Sequence, residues 1–140
     1  MPTSQASAVW EGKLKDGKGS FRAGSSSFNG PFTFATRFEG KKGTNPEELI
    51  AAAHAACFSM ALSSALAKDG HAPEELRTSA TVTFQPGEGI TRIALTVEGR
   101  VPGLDADAFG QAARGAKENC PVSKALASVP EISLDARLAP

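Results

Sequence analysis

Apolar and polar positions alternate with a period of two near both ends of the chain, and between them lies a long Ala-rich run with few polar interruptions. Ser7 to Lys13, Gly19 to Ala23 and Phe32 to Phe38 read as β-strands. In the last of these Phe32, Phe34, Thr36 and Phe38 fall on one side. Turns at Asp16-Gly17 and Asn29-Gly30 would join these strands antiparallel.

The central run begins after Gly40 to Asn45. Thr44 or Asn45 can cap a helix, Pro46 suits its first position, and Glu47 and Glu48 complement its positive end. Gly70 ends it, so the pattern predicts a helix over Pro46 to Asp69, roughly 35 Å long at ~1.5 Å per residue. Ala51, Ala52, Ala53, Ala55, Ala56, Ala61 and Ala65 with Leu49, Ile50, Phe58, Met60, Leu62 and Leu66 leave no wide polar face, which is the mark of a buried helix.

Alternation returns at Thr78 to Phe84 and Gly89 to Val101, and Gln85-Pro86-Gly87-Glu88 between them predicts a long hairpin. Leu104 to Glu118 reads as a helix capped by Asp105, Pro121 to Ser128 as a short one, and Val129 to Leu138 as a final strand. Strands at both ends of a helical middle define an α+β fold, and 140 residues without repeats suit one domain over 1–140.

Charge narrows the partners. Fifteen basic and fifteen acidic residues cancel, leaving no field for nucleic acid or an anionic membrane. The first residues lack the pattern of a signal peptide, and no stretch approaches eighteen uninterrupted apolar residues, so a cytoplasmic protein is expected. Two cysteines are too few for a secreted disulfide framework, and in a reducing compartment any pairing would be transient.

Those cysteines carry the candidate chemistry. Cys57 lies in mid-helix, where it either fills space among alanines or acts as a buried nucleophile. Cys120 precedes Pro121, at the capping position of a short helix, where backbone N–H groups lower a thiol pKa. One thiolate able to attack an O–O bond and a second thiol to condense with the sulfenic acid is a workable pair. There is no Cys-x-x-Cys, and a four-ligand metal site would consume every cysteine and both histidines at spacings unlike those of zinc sites. His54, three residues before Cys57, reads as a satisfied helix histidine or a modulator of that thiol.

A buried thiol needs a cation or hydrogen bonds to ionise. Arg37, pointing away from the phenylalanine face, is the best candidate, and Glu47 or Glu48 would fix its guanidinium plane. Glu47 and Cys57 are ten residues apart on the predicted helix, about 15 Å along its axis. If both serve one site, the helix breaks or Glu47 comes from a second subunit. The all-round apolar helix favours a dimer.

The segments Thr36-Arg37-Phe38-Glu39-Gly40 and Gly43-Thr44-Asn45-Pro46-Glu47-Glu48-Leu49 through His54-Ala55-Ala56-Cys57-Phe58-Ser59-Met60 resemble the OsmC family. So do Trp10-Glu11-Gly12, Val101-Pro102-Gly103 and Asn119-Cys120-Pro121-Val122-Ser123. The likeness is to the osmotically inducible branch of the OsmC and organic hydroperoxide resistance peroxidases. It implies strongly bent antiparallel sheets wrapped around long central helices in an intertwined homodimer with shared active sites. It also implies that Cys57 is peroxidatic and Cys120 resolving, that Arg37 holds the thiolate and the peroxide, and that Glu47 orients Arg37. The sister branch takes its arginine from nearer the N-terminus, where Lys15-Asp16-Gly17-Lys18 has none and Arg22 is the fallback.

The implied cycle reduces an organic hydroperoxide to an alcohol in oxidative or osmotic stress defence. It passes through a Cys57 sulfenic acid and a Cys57–Cys120 disulfide, which a small dithiol, a lipoyl group on the family pattern, reduces. No metal, haem or flavin is required. Phenylalanines of the early strands, with Phe58 and Met60, would supply an apolar pocket. Two other readings compete: a non-catalytic dimeric stress protein that binds small apolar ligands, and a Cys-dependent hydrolase or acyl transferase using His54 as base.

Overall fold

Strands β1 (Ala6–Glu11), β2 (Lys18–Ala23) and β3 (Asn29–Phe32) form an antiparallel sheet in that order. Gly19 stands between Trp10 on β1 and Phe32 on β3 in the register. A Cβ at Gly19 would lie 2.6 Å from both rings, so glycine is what lets them meet across β2, with centroids 5.6 Å apart. The computed structural model describes residues 1–140 and comprises two compact units, Met1–Leu49 and Ile50–Pro140.

Two local expectations in the first unit are corrected. Asn29-Gly30 is not a turn but the start of β3, where Gly30 packs against the Phe21 ring. The chain reverses just before it, through Ser26 at φ 62° and the hydrogen bond from Ala23 N–H to Phe28 O. Phe32 to Phe38 is not one strand either: β3 ends at Phe32 and a short helix α1 (Phe34–Phe38) follows. Thr33 caps it, its hydroxyl accepting from Thr36 N–H while Thr36 Oγ1 accepts from Thr33 N–H, a reciprocal capping box. Phe34 and Phe38, four residues apart, stack at 4.7 Å, a pairing that helical spacing provides and a strand would not.

Helix α2 (Pro46–Lys68) starts as its sequence predicts: Asn45 Oδ1 accepts from Glu48 N–H at 2.8 Å, and Asn45 Nδ2 donates to Thr36 O at 3.0 Å. Gly70, at φ 82°, ends it, with His71 N–H returning to Leu66 O. The expectation of all-round burial is not met within one chain. His54, Phe58, Leu62 and Leu66, spaced four apart, are buried, whereas Ala52, Ala53, Ala56 and Met60 are exposed. By length and composition α2 is apolar enough to cross a membrane, although His54, Ser59, Ser63 and Ser64 interrupt its apolar run. The role its buried face takes is that of a core helix, because Phe58, Leu62 and Leu66 pack with the second unit's sheet and α3 (Ala106–Asn119).

That sheet pairs β4 (Glu75–Gln85) with β5 (Gly89–Arg100) as the expected antiparallel hairpin. Ile93, Leu95 and Val97 alternate into the core, and the Phe109 ring of α3 lies directly against Gly99. Strand β6 (Glu131–Leu138) joins β5 in parallel, so this sheet is mixed rather than wholly antiparallel. A parallel pairing needs a long crossover, which α3 and α4 (Pro121–Ala125) supply. Asp105 caps α3 as predicted, accepting from Ala108 N–H at 2.8 Å.

Candidate active site

Cys120 is the hinge between α3 and α4. Its N–H still bonds Ala116 O, but at φ −57° and ψ 128° the helix stops, and Pro121 opens the next one. Cys57 sits on α2 beside Phe58, which is fully buried and anchors this turn of the helix. The two sulfurs share a hydrogen bond at 3.0 Å; both cysteines are free, Cys57 half-buried and Cys120 fully buried. A disulfide needs about 2.05 Å, so closing the bond takes a sulfur displacement of about 1 Å.

The pair is electrostatically unequal. Burial pushes the Cys57 thiol up, the Cys120 hydrogen bond and charge push it further, and the Val122 N–H only partly opposes them. Burial also acts to raise Cys120. There, however, the Cys57 hydrogen bond, the Ser123 N–H and hydroxyl and the Val122 N–H outweigh it and hold the thiol below its ordinary value. Burial and the Cys120 contact thus disfavour the Cys57 thiolate, which a neighbouring cation would favour.

In the first unit Arg37 and Glu47 form the expected pair, and of the two candidate glutamates it is Glu47 that engages. Arg37 Nε donates to Glu47 Oε1 at 3.0 Å and Oε2 at 3.3 Å, and Nη2 to Oε1 at 2.8 Å. Glu47 is buried and Arg37 about one-third exposed, so the carboxylate is the fixed partner. Arg37 also lies over the Phe38 ring, 5.4 Å from its centroid. The capping box that makes α1 places the arginine at that helix's end; the fallback Arg22 is exposed on β2. A cavity of about 240 Å³ is walled by Trp10, Leu14, Phe32, Phe34 and Phe38, with Arg37 on its lining.

Two pocket residues expected from the sequence lie elsewhere. Phe58 belongs to the core and Met60 is on the exposed face of α2; the phenylalanines that line the cavity are those of β3 and α1. Sequence reasoning also missed Ser123. It is buried, and its Oγ lies 2.7 Å from Nε2 of the fully buried His54. The available signal was a hydroxyl three residues after a capping cysteine, where a side chain faces back to the cap.

The chain belongs to the OsmC family: the family model described as OsmC-like protein matches residues 39–135. The peroxiredoxin OsmC of Escherichia coli is 51% identical over 135 residues, covering 94% of this chain and 93% of that protein. The organic hydroperoxide resistance protein OhrB of Bacillus subtilis is 32% identical over 99 residues, covering 69% of this chain and 72% of its own length. Among solved structures, an OsmC-like protein from Mycoplasma pneumoniae superposes with a TM-score of 0.75 at 17% identity, over 99% of both chains. That of Bacillus subtilis OhrB gives 0.64 at 23% identity, over 96% and 98%. At these identities the structures support the fold, and the sequence relatives carry the kinship.

Proposed function

We propose that this protein is a thiol peroxidase that reduces organic hydroperoxides to alcohols in stress defence, with Cys57 peroxidatic and Cys120 resolving. The observation that carries the reading is the 3.0 Å approach of two free thiols on separate helices, sixty-three residues apart in sequence. The relatives named peroxiredoxin and organic hydroperoxide resistance protein agree with it.

The Cys57 thiolate attacks the distal peroxide oxygen, the O–O bond breaks, and the alkoxide leaves as alcohol after taking a proton. Cys57 becomes a sulfenic acid; Cys120 condenses with it, releasing water and forming the disulfide. A dithiol, of which a lipoyl group is the family's example, returns both thiols. The cytoplasm, where thiols are kept reduced, suits this cycle.

Arg37 acts as the cation at Cys57 and at the developing oxyanion, with Glu47 orienting it. On the unbroken helix α2, Glu47 and Cys57 stand about 15 Å apart along the axis, so we assign the Arg37–Glu47 pair to the thiols of a second subunit. The exposed Ala52, Ala53, Ala56 and Met60 face suits a helix contact across a twofold axis. The aromatic cavity beside Arg37 suits an apolar peroxide substituent and favours organic peroxides over hydrogen peroxide.

The test is dithiol-dependent consumption of cumene hydroperoxide and hydrogen peroxide. Faster turnover of the organic peroxide, abolished in Cys57→Ser, is expected. Activity that survives Cys57→Ser refutes the reading. Mixing inactive Arg37→Ala and Cys57→Ser subunits restores part of the activity if the site is shared, and none if it is not.

A further inference from the structure

His54 is fully buried, and its Nδ1 has no hydrogen-bond partner. An orphaned buried N–H is rarer in proteins than an orphaned acceptor, so we assign the ring proton to Nε2, leaving Nδ1 as the bare acceptor. Burial lowers the pKa of this imidazole and favours the neutral ring. Nε2–H then donates to Ser123 Oγ across the 2.7 Å contact. With its oxygen accepting from His54, the Ser123 hydroxyl must point its own hydrogen elsewhere. Ser123 follows Cys120 by three residues, on the first turn of α4, and its hydroxyl acts to hold the Cys120 thiol below its ordinary value.

We propose that Ser123, oriented by His54, donates its hydroxyl hydrogen to the Cys120 sulfur and makes Cys120 the leaving thiolate when a dithiol reduces the Cys57–Cys120 disulfide. The assignment rests on the two-cysteine reading above and adds the direction in which the disulfide is opened. Cys57 is the half-buried sulfur and Cys120 the fully buried one, so a reductant reaches Cys57. Its thiolate attacks Cys57 Sγ, the bond between the protein sulfurs breaks, and Cys120 departs with the electron pair. The reductant's second thiol, after losing its proton, then attacks the mixed disulfide. Cys57 is released, the oxidised cyclic disulfide of the reductant forms, and two electrons have passed to the protein. Exchange is faster when the departing sulfur is the more stable thiolate. Burial acts against the Cys120 thiolate, while Cys57 from α2, the Val122 and Ser123 N–H groups from α4 and the Ser123 hydroxyl favour it; of those on α4, the hydroxyl alone can be removed without touching the backbone.

Two measurements test this, and neither needs peroxide. In a Cys57→Ser background, ultraviolet thiolate absorbance reports the titration of Cys120. Ser123→Ala should move its midpoint up by about one pH unit, as befits the loss of one hydrogen bond to a charged sulfur. Ser123→Thr should restore it. His54→Leu should move it in the same direction, while His54→Gln, which keeps a donor where Nε2 stood, should not. Ser59→Ala, which removes a hydroxyl bonded to Thr78, serves as the control for hydroxyl loss away from Cys120.

Full-length protein oxidised to the disulfide with diamide is then reduced by dihydrolipoamide in a single turnover. Ser123→Ala should slow this step about threefold, if the leaving sulfur responds as strongly to pKa as the attacking one. Should Ser123→Ala fail to fold, Ser123→Gly carries the same test. An unchanged midpoint, or a shift that Ser123→Thr fails to reverse, overturns the proposal. Failure of the peroxidase reading would show instead as wild-type thiols inert to peroxide.

Discussion

Replacing Glu47 by Gln separates a structural role from a catalytic one. The carboxylate accepts from Nε and Nη2 of Arg37 through one oxygen, with the second oxygen 3.3 Å from Nε. Gln keeps the shape and one acceptor but loses the charge and turns an N–H₂ toward a donor. Hydrogen bonds to charged groups contribute about 1.5–3 kcal/mol and neutral ones about 1. Because Arg37 is one-third exposed, solvent screening reduces the difference to about 0.5–1 kcal/mol. At roughly 2–4 °C per kcal/mol, the melting temperature should fall by only about 1–4 °C. The catalytic effect should be much larger, since a guanidinium displaced by about 1 Å from a transition state can cost 10²-fold. Stopped-flow measurement of sulfenic acid formation at Cys57 should therefore show a loss of about 10- to 100-fold. A melting shift of the expected size with an unchanged rate would refute the reasoning and leave Arg37–Glu47 as a surface clasp.

Other consequences are smaller or more local. Phe58→Ala removes a fully buried ring from the core beside Cys57 and should cost about 3–5 kcal/mol in chemical denaturation. Thr33→Ala breaks the α1 capping box; a cost of about 1 kcal/mol is expected, with slower peroxide reaction because Arg37 loses its helix. Burial holds the folded-state pKa of His54 below that of the unfolded chain, so the associated stability is present above about pH 6.5 and is lost as pH falls through the folded value. Denaturant midpoints across that range should decline toward acid in the wild type and more weakly in His54→Gln.

Much of this architecture could be read from local signals. Asn45, Pro46 and Gly70 bound α2, and alternation about a Pro-Gly turn defines the β4–β5 hairpin, because each signal acts over a few residues. The segment Phe32 to Phe38 misled because its phenylalanines fit a period of two, while Phe34 and Phe38 also fit a helical turn. Thr33 and Thr36 decide between them, with a Thr in place of the usual Glu or Gln closing the capping box. The parallel partner of β5 was not readable, since nothing in an alternating strand states its direction. Arg37 with Glu47 or Glu48 followed from charge chemistry, whereas the choice of Glu47 depended on the turn of α2. The Ser123–His54 contact joins residues sixty-nine apart and left no mark in either local sequence beyond the spacing of Ser123 from Cys120.

The central claim is that Cys57 and Cys120 form one redox couple, and titration of the reduced protein with cumene hydroperoxide, followed by free-thiol count and intact mass, tests it most directly. Both thiols and about two mass units should be lost at one equivalent, as two hydrogens leave. Cys57→Ser should form no disulfide, and Cys120→Ser should over-oxidise at Cys57. Thiols that persist through excess peroxide, or a Cys120→Ser protein that cycles like the wild type, would contradict it.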